Sequence, residues 1–295
     1  MAKARELKRR IKSIDNTRQI TKTMEMVAAS KLKRAQDRVI AARPFDEFMR
    51  QVIGQLREGA GESLGDFPLL REEPVSGRAA VLVVTSNRGL AGAFNANLVR
   101  AARTRLTEIR ARGLETELHV VGKKGAGMLR YQGDPPDQTI IDLSDRPSFE
   151  EAERLTDPLI AGFIDGTLDE VHLVYSLFKS PVEQRPAAAR ILPLPSAAEE
   201  EGERAEREYE PVYEFLPSPE MILTRILPLF LKYGVYRAII ESAASEHGAR
   251  RTAMKNATDN AKELIRTFTR RYNRARQAQI TQEIAELVGG AEALR

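Results

Sequence analysis

The chain has 295 residues and no cysteine, with 46 Lys and Arg against 42 Asp and Glu, which excludes a disulfide framework, a thiolate metal site and a cysteine nucleophile. No window of 18 residues is free of charge, so no membrane-spanning helix is expected, and the basic N-terminus has no apolar run behind it of the kind a secretory signal needs. The net charge of +4 is segregated: residues 1–50 carry +8, residues 246–295 carry +4 and the stretch between carries −8, a distribution that points to a partner for the two ends.

In chain order the first element is a long helix. Residues 2–55 contain one proline, Pro44, and one glycine, Gly54. At ~1.5 Å per residue such a helix spans roughly 80 Å, more than the width of a small domain. Its apolar positions fall in runs at helical spacing: Leu7, Ile11 and Ile14, then Ile20, Met24 and Val27, then Ala28, Leu32, Ala35, Val39 and Ala42. The seam they define drifts from run to run. The helical segment is assigned to residues 1–58, and residues 59–77, with four Gly and two Pro, read as a linker.

Residues 78–198 carry the α/β pattern. A β-branched run at 78–85 reads as a strand buried on both faces. A glycine turn follows, then an amphipathic helix over 93–112 through Leu98, Ala102, Leu106 and Ile109. Further strands are expected at 115–121 and 170–178, with a fourth at 189–194, and helices at 123–131 and 150–166. This alternation indicates βαβ units and a mostly parallel, Rossmann-like sheet. Residues 199–218, opening on the run EEEGERAEREYE, read as a charged linker.

The last element, 219–295, is a second helix that spans roughly 100 Å at ~1.5 Å per residue. The series Met254, Ala257, Ala261, Leu264, Phe268, Arg271, Ala275, Ala278, Gln282, Ala285 alternates steps of three and four, as a coiled-coil seam does. Neither terminal helix is stable alone in water, and the simplest solution is that they pair antiparallel. The expected fold is therefore α/β with a long antiparallel coiled coil. Beyond the basic zone, Ile280, Ile284, Leu287 and Val288 form an apolar stripe before Gly289-Gly290, wet unless a partner covers it.

Chemistry is sparse. His119, His172 and His247 are far apart and none lies in a metal-binding spacing. The loop Gly89-Leu90-Ala91-Gly92 lacks the GxGxxG fingerprint, and no Lys-Ser/Thr follows it. It reads as a tight strand-to-helix turn, so no catalytic residue, cofactor or metal is assigned. Two other readings compete. One is a nucleotide-dependent enzyme resting on that loop. The other is a nucleic-acid-binding coiled coil resting on the basic ends, against which stand the regular seam and the absence of interleaved aromatics.

Three segments resemble the gamma subunit of F-type ATP synthases: IKSIDNTRQITKTMEMVAASKLKRAQ at 11–36, SNRGLAGAFN at 86–95, and SEHGARRTAMKNATDNAKELI with YNRARQAQITQEIAELVGGAEAL at 245–265 and 272–294. The resemblance covers essentially the whole chain. It implies a non-catalytic central-stalk rotor whose helices lie inside a ring of three alpha and three beta subunits. The α/β domain would stand on the membrane c-ring beside the epsilon subunit. Proton flow would then drive ATP synthesis at the beta subunits, peripherally on the cytoplasmic face of a bacterial cell membrane. Nucleic acid and cofactors have no part in it. By position the family's contact residues fall on Met24, Arg250, Arg276, Gln277, Thr281 and Glu283, with Ile280, Ile284, Leu287 and Val288 as the apolar tip. Arg251 and Gln279 depart from the family pattern, which puts contact details there in question, and the absence of cysteine rules out the chloroplast redox insert.

Overall fold

The computed structural model describes residues 2–60, 67–71, 73–194, 213, 215 and 218–292; the side chains of 2, 3, 57–60 and 288–292 lie outside that description. The elements are α1 (Ala2–Ala60), β1 (Arg78–Val84), α2 (Phe94–Ala111), β2 (Glu115–Val121), α3 (Lys123–Tyr131), β3 (Gln138–Ile140), α4 (Phe149–Ile164), β4 (Glu170–Phe178), β5 (Gln184–Leu192) and α5 (Pro219–Glu292), with a short 3-10 turn at Pro68–Leu70. They form two compact units, one of residues 30–249 and one of residues 1–29 with 250–295. Of the charged linker expected at 199–218, residues 199–212, 214 and 216–217 lie outside the described residues, as do 61–66 and 72 in the other linker.

In the larger unit a five-stranded sheet runs β3-β2-β1-β4-β5. The first four strands are parallel and β5 is antiparallel to β4. The period of two along β1 divides the core. Ala79, Val81 and Val83 face α2 and α3, packing with Leu98, Leu106, Ile109 and Leu129. Ala80, Leu82 and Val84 face the other way, onto Leu155, Leu159 and Phe163 of α4 and onto both terminal helices. Burying each of the Val, Leu, Ile and Phe side chains contributes ~1.5–3 kcal/mol. Helix α4 starts at a capping box. The Ser148 hydroxyl accepts from the Glu151 amide at 3.3 Å, and the Glu151 carboxylate accepts from the Ser148 amide at 2.8 Å.

In the same unit the terminal helices pack against each other antiparallel. Leu32, Val39 and Ala42 of α1 cluster with Ile240 and Ala244 of α5. Further along α1, Met49, Val52, Ile53 and Leu56 join a cluster with Leu223, Leu227, Leu231 and Val235, so one helix ascends as the other descends.

In the smaller unit the buried positions are Thr21 and Ala28 of α1 and Met254, Thr258 and Ala261 of α5. Each expected seam is borne out in part: Met254, Ala261, Phe268 and Ala275 on α5 and Leu7, Ile11, Ile14 and Ala28 on α1 lie inward, whereas the members between them are shifted in phase. On α5 the inward positions are 254, 258, 261, 265, 268, 272, 275 and 279; Ala257 is half-buried, while Leu264, Arg271 and Ala278 are exposed. On α1, Ile20 and Val27 are exposed, and the inward residues 7, 11, 14, 18, 21, 25 and 28 keep one heptad without drift. Polar residues sit where apolar ones were sought. The Thr258 hydroxyl is 2.8 Å from both the Thr21 hydroxyl and the Met254 carbonyl, and Thr21 also reaches the Arg18 carbonyl at 3.1 Å. Satisfied in this way, both threonines can be buried.

Two strands also differ from expectation. Strand β3 is three residues long and largely exposed. Strand β5 begins at Gln184, ahead of the expected 189, and includes Pro186, which an edge strand tolerates because its outer N–H has no ladder partner to lose.

Candidate functional site

A doubly wound sheet binds ligands at the carboxyl ends of the strands where the order reverses, here between β1 and β4. That crevice is filled by α5. The Ser242 hydroxyl accepts from the Ser176 amide at 3.0 Å, the Ser245 hydroxyl donates to the Ser176 carbonyl at 3.2 Å, and Glu241 accepts from the Phe178 amide at 3.2 Å. What is left beside the β1 loop is a space of about 60 Å³, too small for a nucleotide.

The glycine loop is no phosphate cradle either. The Ser86 amide donates to the Asn95 side chain at 3.1 Å, the Ser86 hydroxyl donates to the Arg88 carbonyl at 2.7 Å, and the Phe94 amide turns back to the Ala91 carbonyl at 3.2 Å. The loop is braced from within, with Leu90 held at φ 63° and 62 % exposed. Its neighbour, the turn from β2 into α3, passes so close to β1 that a Cβ on Gly122 would sit 2.6 Å from the Thr85 carbonyl oxygen.

Each of two histidines has a polar partner within the sheet. His119 lies between Gln138 and Glu117, at 2.7 and 2.8 Å. Buried His172 meets Glu170 at 2.7 Å, and Arg112 grips the same carboxylate with two bonds of 2.7 and 2.6 Å. Burial alone would raise the Glu170 pKa, but the hydrogen bonds from His172 and Arg112 overcome it and hold the pKa at about 2. No cluster of three metal-ligating side chains occurs among the described residues.

The most developed polar network joins the terminal helices. Asp46 on α1 is buried and ion-paired with Arg237 on α5, and it also accepts from Arg50 at 3.2 Å. Arg237 lies 3.6 Å from Glu241, whose pKa is raised by burial in spite of that cation. Tyr233 donates to the Ala42 carbonyl at 2.7 Å and packs on Phe45 with ring centroids 4.4 Å apart. Sequence reading missed this network. Its only signal was a carboxylate at a seam position of α1.

The residues singled out from sequence are distributed along the helices. Met24 and Arg250 are half-buried in the smaller unit. Arg276, Gln277, Thr281 and Glu283 are exposed, with the Thr281 hydroxyl donating to the Gln277 carbonyl at 3.0 Å and Glu283 accepting from Gln279 at 2.8 Å. These four share one stretch of α5. Ile280, Ile284 and Leu287 are 47, 56 and 74 % exposed; the side chain of Val288 lies outside the described residues. Sequence reading did not pick out as surface the exposed Ile20, Met26 and Val27 of α1, because it assigned two of them to the seam.

An α/β domain whose ligand crevice is packed by the chain's own helix, built onto a pair of long helices with exposed apolar residues, defines a class: an assembly subunit that works through its helices. The comparisons specify it. The ATP synthase family model matches residues 3–294. The ATP synthase gamma chain of Gemmatimonas aurantiaca is 48 % identical over the whole of both chains, and that of Frankia casuarinae is 44 % identical over 98 % of this chain and 97 % of its own. Among solved structures, the rotor of the Euglena gracilis mitochondrial ATP synthase superposes with a TM-score of 0.65 at 21 % identity, covering 95 % of this chain and 99 % of that one. The chain belongs to the ATP synthase gamma-chain family, and is a non-catalytic subunit.

Proposed function

We propose that the chain is the central-stalk rotor of a bacterial-type ATP synthase. Its α1–α5 pair turns inside a ring of three alpha and three beta subunits. Its α/β domain stands on the membrane c-ring beside the epsilon subunit. Residues 1–58 and 219–295 serve as the shaft and 78–198 as the foot, with 59–77 and 199–218 as linkers. The subunit works peripherally at the cytoplasmic face of the membrane; no described helix is long and apolar enough to cross one.

Ion flow through the membrane ring turns the shaft, and the shaft biases the conformations of the three beta-subunit sites in turn. A shaft touching all three sites equally would shift no equilibrium, so the contacts must differ around its circumference. Arg276, Gln277, Thr281 and Glu283 offer polar contacts on α5, with Met24 and Arg250 further along the pair. Exposed charged contacts contribute only ~0–1 kcal/mol each and can break and re-form at each step. Ile280, Ile284, Leu287 and Val288 slide in an apolar collar.

The observation that carries this reading is the end-to-end match to gamma chains combined with the occupation of the fold's ligand crevice by α5. The test is single-molecule rotation. Because the chain has no cysteine, Tyr131→Cys, at a position 92 % exposed, gives one attachment point for a bead. With an alpha/beta hexamer and ATP, the expected result is unidirectional stepping of the bead. A stable complex that hydrolyses ATP with no net rotation would overturn the proposal.

A further inference from the structure

Beside the filled crevice, the larger unit contains an open cavity of about 470 Å³, bounded by α1, by the 145–147 segment ahead of α4, and by α5. Its inner wall includes buried Ile240 and His247. Its other lining is strongly cationic, with Lys31, Arg34 and Arg38 from α1 and Arg146 from the 145–147 segment. The two carboxylates in the lining are already engaged. Asp145 is paired with Lys31, and Asp37 with Lys33, which is not a lining residue, at 2.8 Å.

Among the described residues the guanidiniums of Arg34, Arg38 and Arg146 have no such partner. Arg38 donates only to the Pro147 carbonyl at 3.4 Å, and Arg34 only to the Ser30 carbonyl and hydroxyl, both at 3.4 Å. The Arg146 guanidinium makes no ion pair or hydrogen bond among the described residues, although its backbone amide donates to Ser144. Three delocalised cations thus border one concave space, from two elements, without an ion pair of their own among the described residues. Planar guanidinium forks match the oxygens of a phosphate group bidentately, better than they match water or a single carboxylate oxygen.

We propose that this cavity is a phosphate-group site, taking inorganic phosphate or the phosphate of a nucleotide or lipid headgroup. A bound phosphate bridges Arg34 and Arg38 on α1 to Arg146, reinforcing the Lys31–Asp145 pair that already joins the same two elements. Its effect is to fasten the α1 helix to the sheet domain. This goes beyond the rotor reading and does not depend on it.

The test uses the full-length chain and inorganic phosphate at physiological salt, with binding followed by calorimetry and by hydrogen exchange. The combined variant Arg34→Gln/Arg38→Gln/Arg146→Gln is compared with Arg266→Gln/Arg270→Gln/Arg274→Gln. The second set removes the same charge from exposed positions of α5 away from the cavity. Saturable one-to-one binding is expected, with slowed exchange at residues 31–38 and 145–147. The cavity variant should bind roughly tenfold or more weakly, since each charge-assisted hydrogen bond lost is worth about that factor, and the control set should bind as the parent does. ATP and phosphatidylglycerol vesicles run in parallel identify the source of the phosphate: whichever binds most tightly and is lost in the cavity variant alone is the physiological class. No saturable binding at millimolar phosphate, equal losses in both variants, or equal displacement by hexaglutamate would overturn the proposal.

Discussion

Replacing Asp46 by alanine should loosen the joint between the two terminal helices. Asp46 is 7 % exposed and holds Arg237 and Arg50 at once. Removing one partner of a buried ion pair costs ~3–5 kcal/mol, because the other charge stays buried alone. Here the loss is partly cushioned. Arg237 keeps Glu241 at 3.6 Å, and Arg50 is exposed enough to turn to water. That brings the expected cost to about 2–3 kcal/mol for Asp46→Ala, and about 1 kcal/mol for Asp46→Asn, which keeps an acceptor. The triple variant Asp46→Leu/Arg237→Leu/Glu241→Gln, which leaves no buried carboxylate without its cation, should recover much of the loss. The assay is urea unfolding of the full-length chain followed by far-ultraviolet circular dichroism, with ATP-driven pumping measured in complexes rebuilt with each variant. If Asp46→Ala lies within about 0.5 kcal/mol of the parent, the range of ordinary surface changes, the network is not what joins the helices and the reasoning fails.

The remaining predictions concern the seam, the shaft contacts and acid stability. Ile265→Ala should destabilise the chain clearly more than Leu264→Ala, measured by the same unfolding experiment, because 265 faces inward and Leu264 is 48 % exposed; the reverse order would restore the misphased seam. Met24→Lys should lower ion pumping more than ATP hydrolysis in membrane vesicles, since a new cation beside Glu25 can add an angle-dependent ion pair of ~1–3 kcal/mol that each step must break; equal loss of both activities would contradict this. Arg276→Ala/Gln277→Ala should impair ATP-driven pumping in complexes that still assemble, whereas deletion from Ile284 onward should weaken assembly and slow turnover with rotation still directional. Glu170→Gln should flatten the acid limb of the stability profile. The carboxylate pKa is held at about 2 against an ordinary 4.5, so its contribution is full above 4.5 and is lost as pH falls toward 2.

The sheet domain was largely legible because its strands and helices change period sharply. The bounds of β2, α3 and β4 were read as they stand, and β1 to within a residue. Strand β3 was illegible: three mostly exposed residues carry no alternation to detect. The terminal helices were legible as helices, and alternate positions of the α5 seam and the first run on α1 were in phase, but the remaining seam positions were not. An exposed isoleucine such as Ile20 looks more like a seam residue than a buried threonine does, and only the partner hydroxyl that makes Thr21 and Thr258 compatible with burial reveals the true register. The same limit hid the Asp46–Arg237 pair, since a charged seam residue is favourable only once its counter-ion on a distant segment is known. The apolar stripe near the end of α5 was legible from its own spacing, and Ile280, Ile284 and Leu287 are exposed. The polar positions Arg276, Gln277, Thr281 and Glu283 were read only through resemblance, because an exposed polar residue leaves no mark of its own in hydrophobic periodicity.

The crevice packed by α5 gives the sheet domain an unusual relation to its ligand. In a doubly wound protein the occupant of the switch point comes and goes, and its affinity is set against its concentration. Here the occupant is a turn of the same polypeptide, hydrogen-bonded to β4 through Ser242, Ser245 and Glu241. Covalent connection makes its effective concentration permanent, so the grip needs no tight binding constant and has no free state to relax into. A twist arriving along the helix therefore meets the backbone of an interior strand directly. The architecture that elsewhere senses a nucleotide serves here as a clutch that is never disengaged.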